Sequence, residues 1–193
     1  MEFRLSFQPR PLPKRIQHTD RLFLMGSCFT EQIGQKLAQH KFQVLDNPHG
    51  ILFNPLSICR SLESYCLPRS YERSDLFFQH ELWGSWDHHT RFSDPVPEKA
   101  LEKINHSQQR AHAFLTEADW LILTLGSAFV YEQGGSLVAN CHKVPADQFQ
   151  KRLASVSEIT HALEQTISRV RALRPTINIL FTISPVRHLR DGF

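Results

Sequence analysis

The sequence predicts an α/β protein with a mainly parallel sheet and helices on both faces. Three observations carry this. Short continuous apolar runs recur at residues 22–25, 119–125 and 177–183, as expected of strands buried on both faces. Between them lie stretches with apolar residues at helical spacing. Each run ends in a small or hydroxyl residue, at Gly26-Ser27, Gly126-Ser127 and Ser184. Strand, tight turn and helix in alternation are the sequence form of a parallel sheet.

The first unit sets the pattern. Residues 22–25 form a strand, Gly26 a turn, and Phe29, Ile33, Leu37 and Ala38 the apolar face of a helix. Before it, residues 1–20 read as an extended arm, with Phe3, Leu5 and Phe7 alternating before a Pro-x-Pro-x-Pro break. Residues 42–45 are a second short strand, closed by the turn formers Asp46, Asn47, Pro48 and Gly50 with His49 among them. Asn54 and Pro55 suit the cap and first position of a helix through Leu62 and Cys66.

Residues 67–95 are crowded with aromatics and histidines, and a hairpin is expected to turn near Gly84-Ser85. Leu101, Ile104, Ala111 and Leu115 mark an amphipathic, mostly exposed helix. After the 119–125 strand, a hairpin crosses Gly134-Gly135. Phe149, Leu153, Val156, Ile159, Leu163, Ile167 and Val170 then predict one helix over residues 147–173.

Composition bounds the function. At 193 residues the chain suits one domain spanning 1–193, and 41% apolar with 21% charged residues is ordinary for a soluble protein. The net charge of +3 comes from scattered Lys and Arg, which weighs against a nucleic-acid partner. Four cysteines lack zinc-ribbon spacing and are too few for a disulfide scaffold. No run reaches the ~18 apolar residues of a membrane span, and the N-terminus lacks a signal-peptide core. A cytoplasmic protein with no membrane partner and no cofactor is expected.

In a parallel sheet, the boundaries at Gly26-Ser27, Asn47 to Gly50, Gly126-Ser127 and Ser184 to His188 share one edge, where open α/β sheets keep their ligands. Ser27 suits either an N-cap or a nucleophile at the positive end of a helix. Backbone N–H groups at Ser27 and Gly50, with a donor near Gly126, would face an oxyanion. His142, His188 and the pair His88-His89 supply imidazoles. His80, Glu81, Asp87, His88 and His89 could alternatively hold a metal, although neighbours on a regular strand point to opposite faces. Cys28 reads as a small packed hydrophobe.

Gly26-Ser27-Cys28-Phe29 resembles the motif that names the GSCFA family, whose members have alanine where this chain has Thr30. Asn54-Pro55, the block from Trp83 to Phe92, Leu123-Thr124-Leu125-Gly126, Asn140-Cys141-His142-Lys143 and Ser184-Pro185-Val186-Arg187-His188 resemble further family motifs in the same order. The family is grouped with the SGNH (GDSL-like) hydrolases. The resemblance therefore implies a three-layer α/β/α, flavodoxin-like fold and a serine esterase or acyl hydrolase acting on an O-acyl ester of a small molecule or carbohydrate. It casts Ser27 as nucleophile and Gly50 and Gly126 as oxyanion glycines.

Two departures stand out. Ala128 occupies the position where the superfamily has a donor Asn, which makes Asn140 the substitute. No Asp-x-x-His follows Ile183, so the chain resembles a C-terminally truncated member lacking the last strand and helix. The general base is then beyond Phe193, or is His188 or His142. An exposed edge strand would favour self-association. The competing readings are a non-catalytic ligand-binding protein on the same scaffold and a metal-assisted hydrolase using residues 80–89.

Overall fold

The structure, a computed structural model, describes residues 11–183. In chain order the elements are β1 (Arg21–Gly26), α1 (Cys28–Gln39), β2 (Gln43–Asp46), α2 (Pro55–Cys66), β3 (Phe77–Gln79), β4 (Leu82–Gly84), α3 (Pro97–Glu117), β5 (Trp120–Leu125), β6 (Phe129–Gln133), β7 (Ser136–Val138), β8 (Gln150–Leu153), α4 (Val156–Leu173) and β9 (Asn178–Ile183). The apolar runs form the centre of a four-stranded sheet in the order β2-β1-β5-β9, with every pairing parallel.

Alternation along β1 explains why both faces are covered. Phe23 and Met25 join Leu121 and Leu123 in a core completed by Leu62 and Tyr65 of α2, Ala111 and Leu115 of α3, and Val170 of α4. Leu22 and Leu24 point the other way, with Trp120, onto Ile33 and Leu37 of α1. These four side chains of β1, Leu22 to Met25, are at most 1% exposed. Each is worth about 1.5–3 kcal/mol by transfer from water. The result is an α/β/α sandwich.

The helices start where their caps predict. The Asn54 side chain accepts the Ser57 N–H, with Pro55 next in the chain, and Ser155 caps α4 by accepting the Glu158 N–H. In α3, Ala100, Ile104, Gln108, Ala111 and Leu115 make one buried stripe, with Leu101 and Phe114 half-buried beside it.

Two expected elements differ. The first hairpin turns at His80-Glu81, both left-handed (φ 49° and 60°), four residues before Gly84. Gly84 instead lies inside β4, where a Cβ would sit 2.9 Å from the Phe77 ring. The single helix over 147–173 divides at Ser155. Residues 150–153 are β8, paired antiparallel with β6, so Leu153 belongs to the small sheet β7-β6-β8, and Phe149 closes a 3-10 turn just before it. Their spacing mimics a helical stripe, but pairing with β6 decides the conformation. Residues 1–10 of the arm, and the segment Ser184 to His188, lie outside the described residues.

Candidate active site at the strand edge

Gly26 ends β1 with φ +144°, and a Cβ there would lie 2.3 Å from the Thr124 carbonyl oxygen. Only glycine passes this close to β5 while turning the chain into α1. Ser27 follows in extended conformation, 8% exposed, and its Oγ accepts the Phe29 N–H at 3.3 Å. Ser27 is thus the N-cap, held at the positive end of α1.

Asn47 fixes this turn from β2. It adopts φ 42°, donates its N–H to Leu24 O (2.9 Å), and accepts the Gly26 N–H on Oδ1 (2.8 Å). Its backbone carbonyl accepts the Gly50 N–H (2.8 Å) and an N–H of the Arg91 guanidinium. Arg91 also pairs with Glu31 of α1 at 3.3 Å. The Leu52 N–H donates to Gly26 O, so residues 47–52 wrap the Gly26-Ser27 turn.

Gly50 and Gly126 therefore stand at the same edge as Ser27. Both of their N–H groups are engaged within the protein. That of Gly50 goes to Asn47 O, and those of Gly126 and Ser127 both go to Phe53 O at 3.0 Å. Gly50 (φ +89°) presses on His89, whose Cβ would lie 2.1 Å from a Cβ on Gly50. The buried side-chain nitrogen of Asn47 and hydroxyl of Thr30 have no hydrogen-bond partner among the described residues. Cys28 is exposed rather than packed, and Phe29 and Phe53, each about half exposed, give this edge an apolar rim.

The histidines divide into two groups. His142, in left-handed conformation (φ 49°), donates from Nε2 to Ser85 O at 2.9 Å, and its ring also meets the His88 backbone. Asn140 Oδ1 accepts the His142 N–H at 2.8 Å, and Phe77 and Trp86 meet the imidazole edge-on. Burial lowers the His142 pKa, so the ring is neutral near pH 7. Among the described residues, neither His142 nor Asn140 hydrogen-bonds to Ser27. His188 lies outside the described residues.

His49 and His88 are the second group; the sequence offers His88 as an imidazole for the site through the pair His88-His89, whereas His49 stands out only as a member of a turn. Their rings meet at a tilt of 47° with centroids 4.0 Å apart, and each is at most 1% exposed. His49 bonds Ser61 Oγ at 3.0 Å and Gln108 Oε1 at 2.9 Å. His88 bonds Ser85 Oγ at 3.0 Å. Burial pushes the His49 pKa down to about 4 and holds that of His88 well below its usual value. The signal for His49 was its place among four turn formers, a setting that does not itself call for an imidazole. Among the described residues, no three His, Cys, Asp or Glu side chains gather as a ligand set.

A glycine-shaped strand–turn–helix with a capping serine at the parallel-sheet edge defines an α/β protein with its candidate chemistry at Ser27. The sequence profile of the GSCFA family matches residues 21–193, and the chain belongs to that family. No curated protein and no solved structure matches the chain. No helix among the described residues is long and apolar enough to cross a membrane.

Proposed function

We propose that this protein is an SGNH-like serine esterase or acyl hydrolase with Ser27 as its nucleophile. The observation that carries the reading is the placement of Ser27. It sits on a glycine-only turn at the C-terminal end of a central strand, capping α1, with the turn fixed from Asn47. A serine hydroxyl there attacks an acyl carbonyl, and the helix N-terminus stabilises the oxyanion that forms. Gly50 and Gly126 shape the edge, and Phe29 and Phe53 offer apolar surface to an acyl chain. Asn140 acts by orienting His142. The base is His142 or His188. The substrate is an O-acyl ester of a small molecule or carbohydrate. Four free cysteines support a cytoplasmic setting.

The test is hydrolysis of p-nitrophenyl acetate by wild type, Ser27→Ala, His142→Ala and His188→Ala. Ser27→Ala should lose at least ~10²-fold in kcat/KM. The lost cap costs ~1 kcal/mol, a melting shift of roughly 2–4 °C. Whichever histidine substitution matches the serine loss identifies the base. Turnover unchanged in Ser27→Ala would refute the nucleophile, and a folded, inert wild type would favour a ligand-binding protein.

A further inference from the structure

A cavity of about 260 Å3 opens beside α2, and Ser27, Gly50 and Gly126 are not among the residues lining it. One helix face supplies a wall of hydroxyls, Ser57, Ser61 and Ser64, at spacings that bring them together. Arg69, Tyr71 and Asp87 stand among the remaining walls, and Arg60 at the mouth donates to Leu137 O at 2.9 Å. An interior helix face normally carries apolar residues; here Ser61 Oγ meets His49 and Ser64 Oγ donates to Ser61 O, which leaves Ser57 as the hydroxyl open to a polar occupant. Ser57 sharpens the point: it is 1% exposed, and its hydroxyl has no partner among the described residues. A buried polar group left unpaired is uncommon and calls for an explanation.

Charge selects the class of occupant. Asp87 lies 3.3 Å from Arg60 and 3.7 Å from Arg69, and it accepts the Tyr71 hydroxyl at 3.2 Å. Arg69 also reaches Asp75 at 3.2 Å, and Glu63 pairs with Arg169 at 3.6 Å. Each charged wall residue is thus matched by an opposite one, leaving no net field for a free anion or cation. What remains is a surface of alternating hydroxyl, guanidinium and carboxylate groups, the complement of a neutral molecule carrying several hydroxyls. The volume falls below the ~300 Å3 at which pockets for drug-sized ligands begin, which limits the occupant to about one sugar ring.

We propose that this cavity is a binding site for a neutral polyhydroxy ligand the size of a monosaccharide. The site stands on its own residues and does not depend on hydrolysis at Ser27.

Saturation-transfer NMR on the folded chain tests it, using methyl α-D-glucopyranoside, methyl β-D-galactopyranoside and myo-inositol at millimolar concentration, with inorganic phosphate as competitor. At least one polyol should receive saturation, and phosphate should not displace it. Arg60→Met, which keeps the side-chain stem but removes the donors, should reduce the transfer at least fivefold. Leu137→Trp, which narrows the mouth, should do the same, and Ser27→Ala should not. No transfer to any of the three polyols would overturn the proposal. So would displacement by phosphate, or transfer unchanged in both cavity variants of confirmed fold.

Discussion

At the scale of single residues, the candidate site is a set of steric demands met by glycine and one Asn. Gly26 and Gly50 both combine a left-handed φ with a neighbour closer than a Cβ tolerates, the Thr124 carbonyl in one case and His89 in the other. Gly50→Ala should therefore cost on the order of 2–4 kcal/mol, from backbone strain plus overpacking. Chemical denaturation would measure it, and a loss below 1 kcal/mol would mean that the His89 segment yields freely. Asn47→Ala removes the acceptor for the Gly26 N–H and strands a buried donor. It should cost about 1–3 kcal/mol, and it should slow acylation of Ser27 more than it weakens substrate binding. A change in KM alone would contradict a positioning role.

At the scale of elements, caps and local pairing set the boundaries. Asn54→Ala should destabilise the start of α2 by ~1 kcal/mol. Thermal unfolding checks this, and no shift would mean that the Ser57 N–H finds another acceptor. The four sheet strands and the starts of α1 and α2 were legible because buried runs, the Gly turn and the Asn-Pro junction are local signals. β8 was not, since Phe149 and Leu153 continue the period of α4, and only the long-range partner β6 makes residues 150–153 strand. The His80-Glu81 turn was hidden for a related reason. Neither residue is a glycine, and the nearby glycine was needed for packing against Phe77. Within the site, Ser27, Gly50 and Gly126 were legible as edge residues. Their hydrogen-bond assignments were not, because Asn47, Phe53 and Arg91 act through space from separate segments.

At the scale of the whole molecule, a buried polar layer lies against the sheet core. His49 and His88 are neutral inside it, while unfolded imidazoles titrate near 6.5. The unfolded chain therefore binds protons that the folded chain refuses. Stability is full above about pH 6.5 and falls as pH drops toward the folded value of about 4, below which the His49 contribution levels off. From His49 alone the loss is on the order of 3 kcal/mol. Urea unfolding at pH 7 and pH 4.5 should show it, with a shallower dependence in His49→Gln. Equal stability at the two pH values would mean that the imidazole pair is solvated or charged in the native state.

The central claim is that the hydroxyl at the end of β1 is a nucleophile as well as a helix cap. Incubation with a fluorophosphonate, followed by intact-mass and peptide analysis, measures this most directly. One adduct per chain, on Ser27 and absent from Ser27→Ala, is the expected result. An unmodified Ser27 in the folded protein, or an adduct carried by any other residue, would contradict the claim.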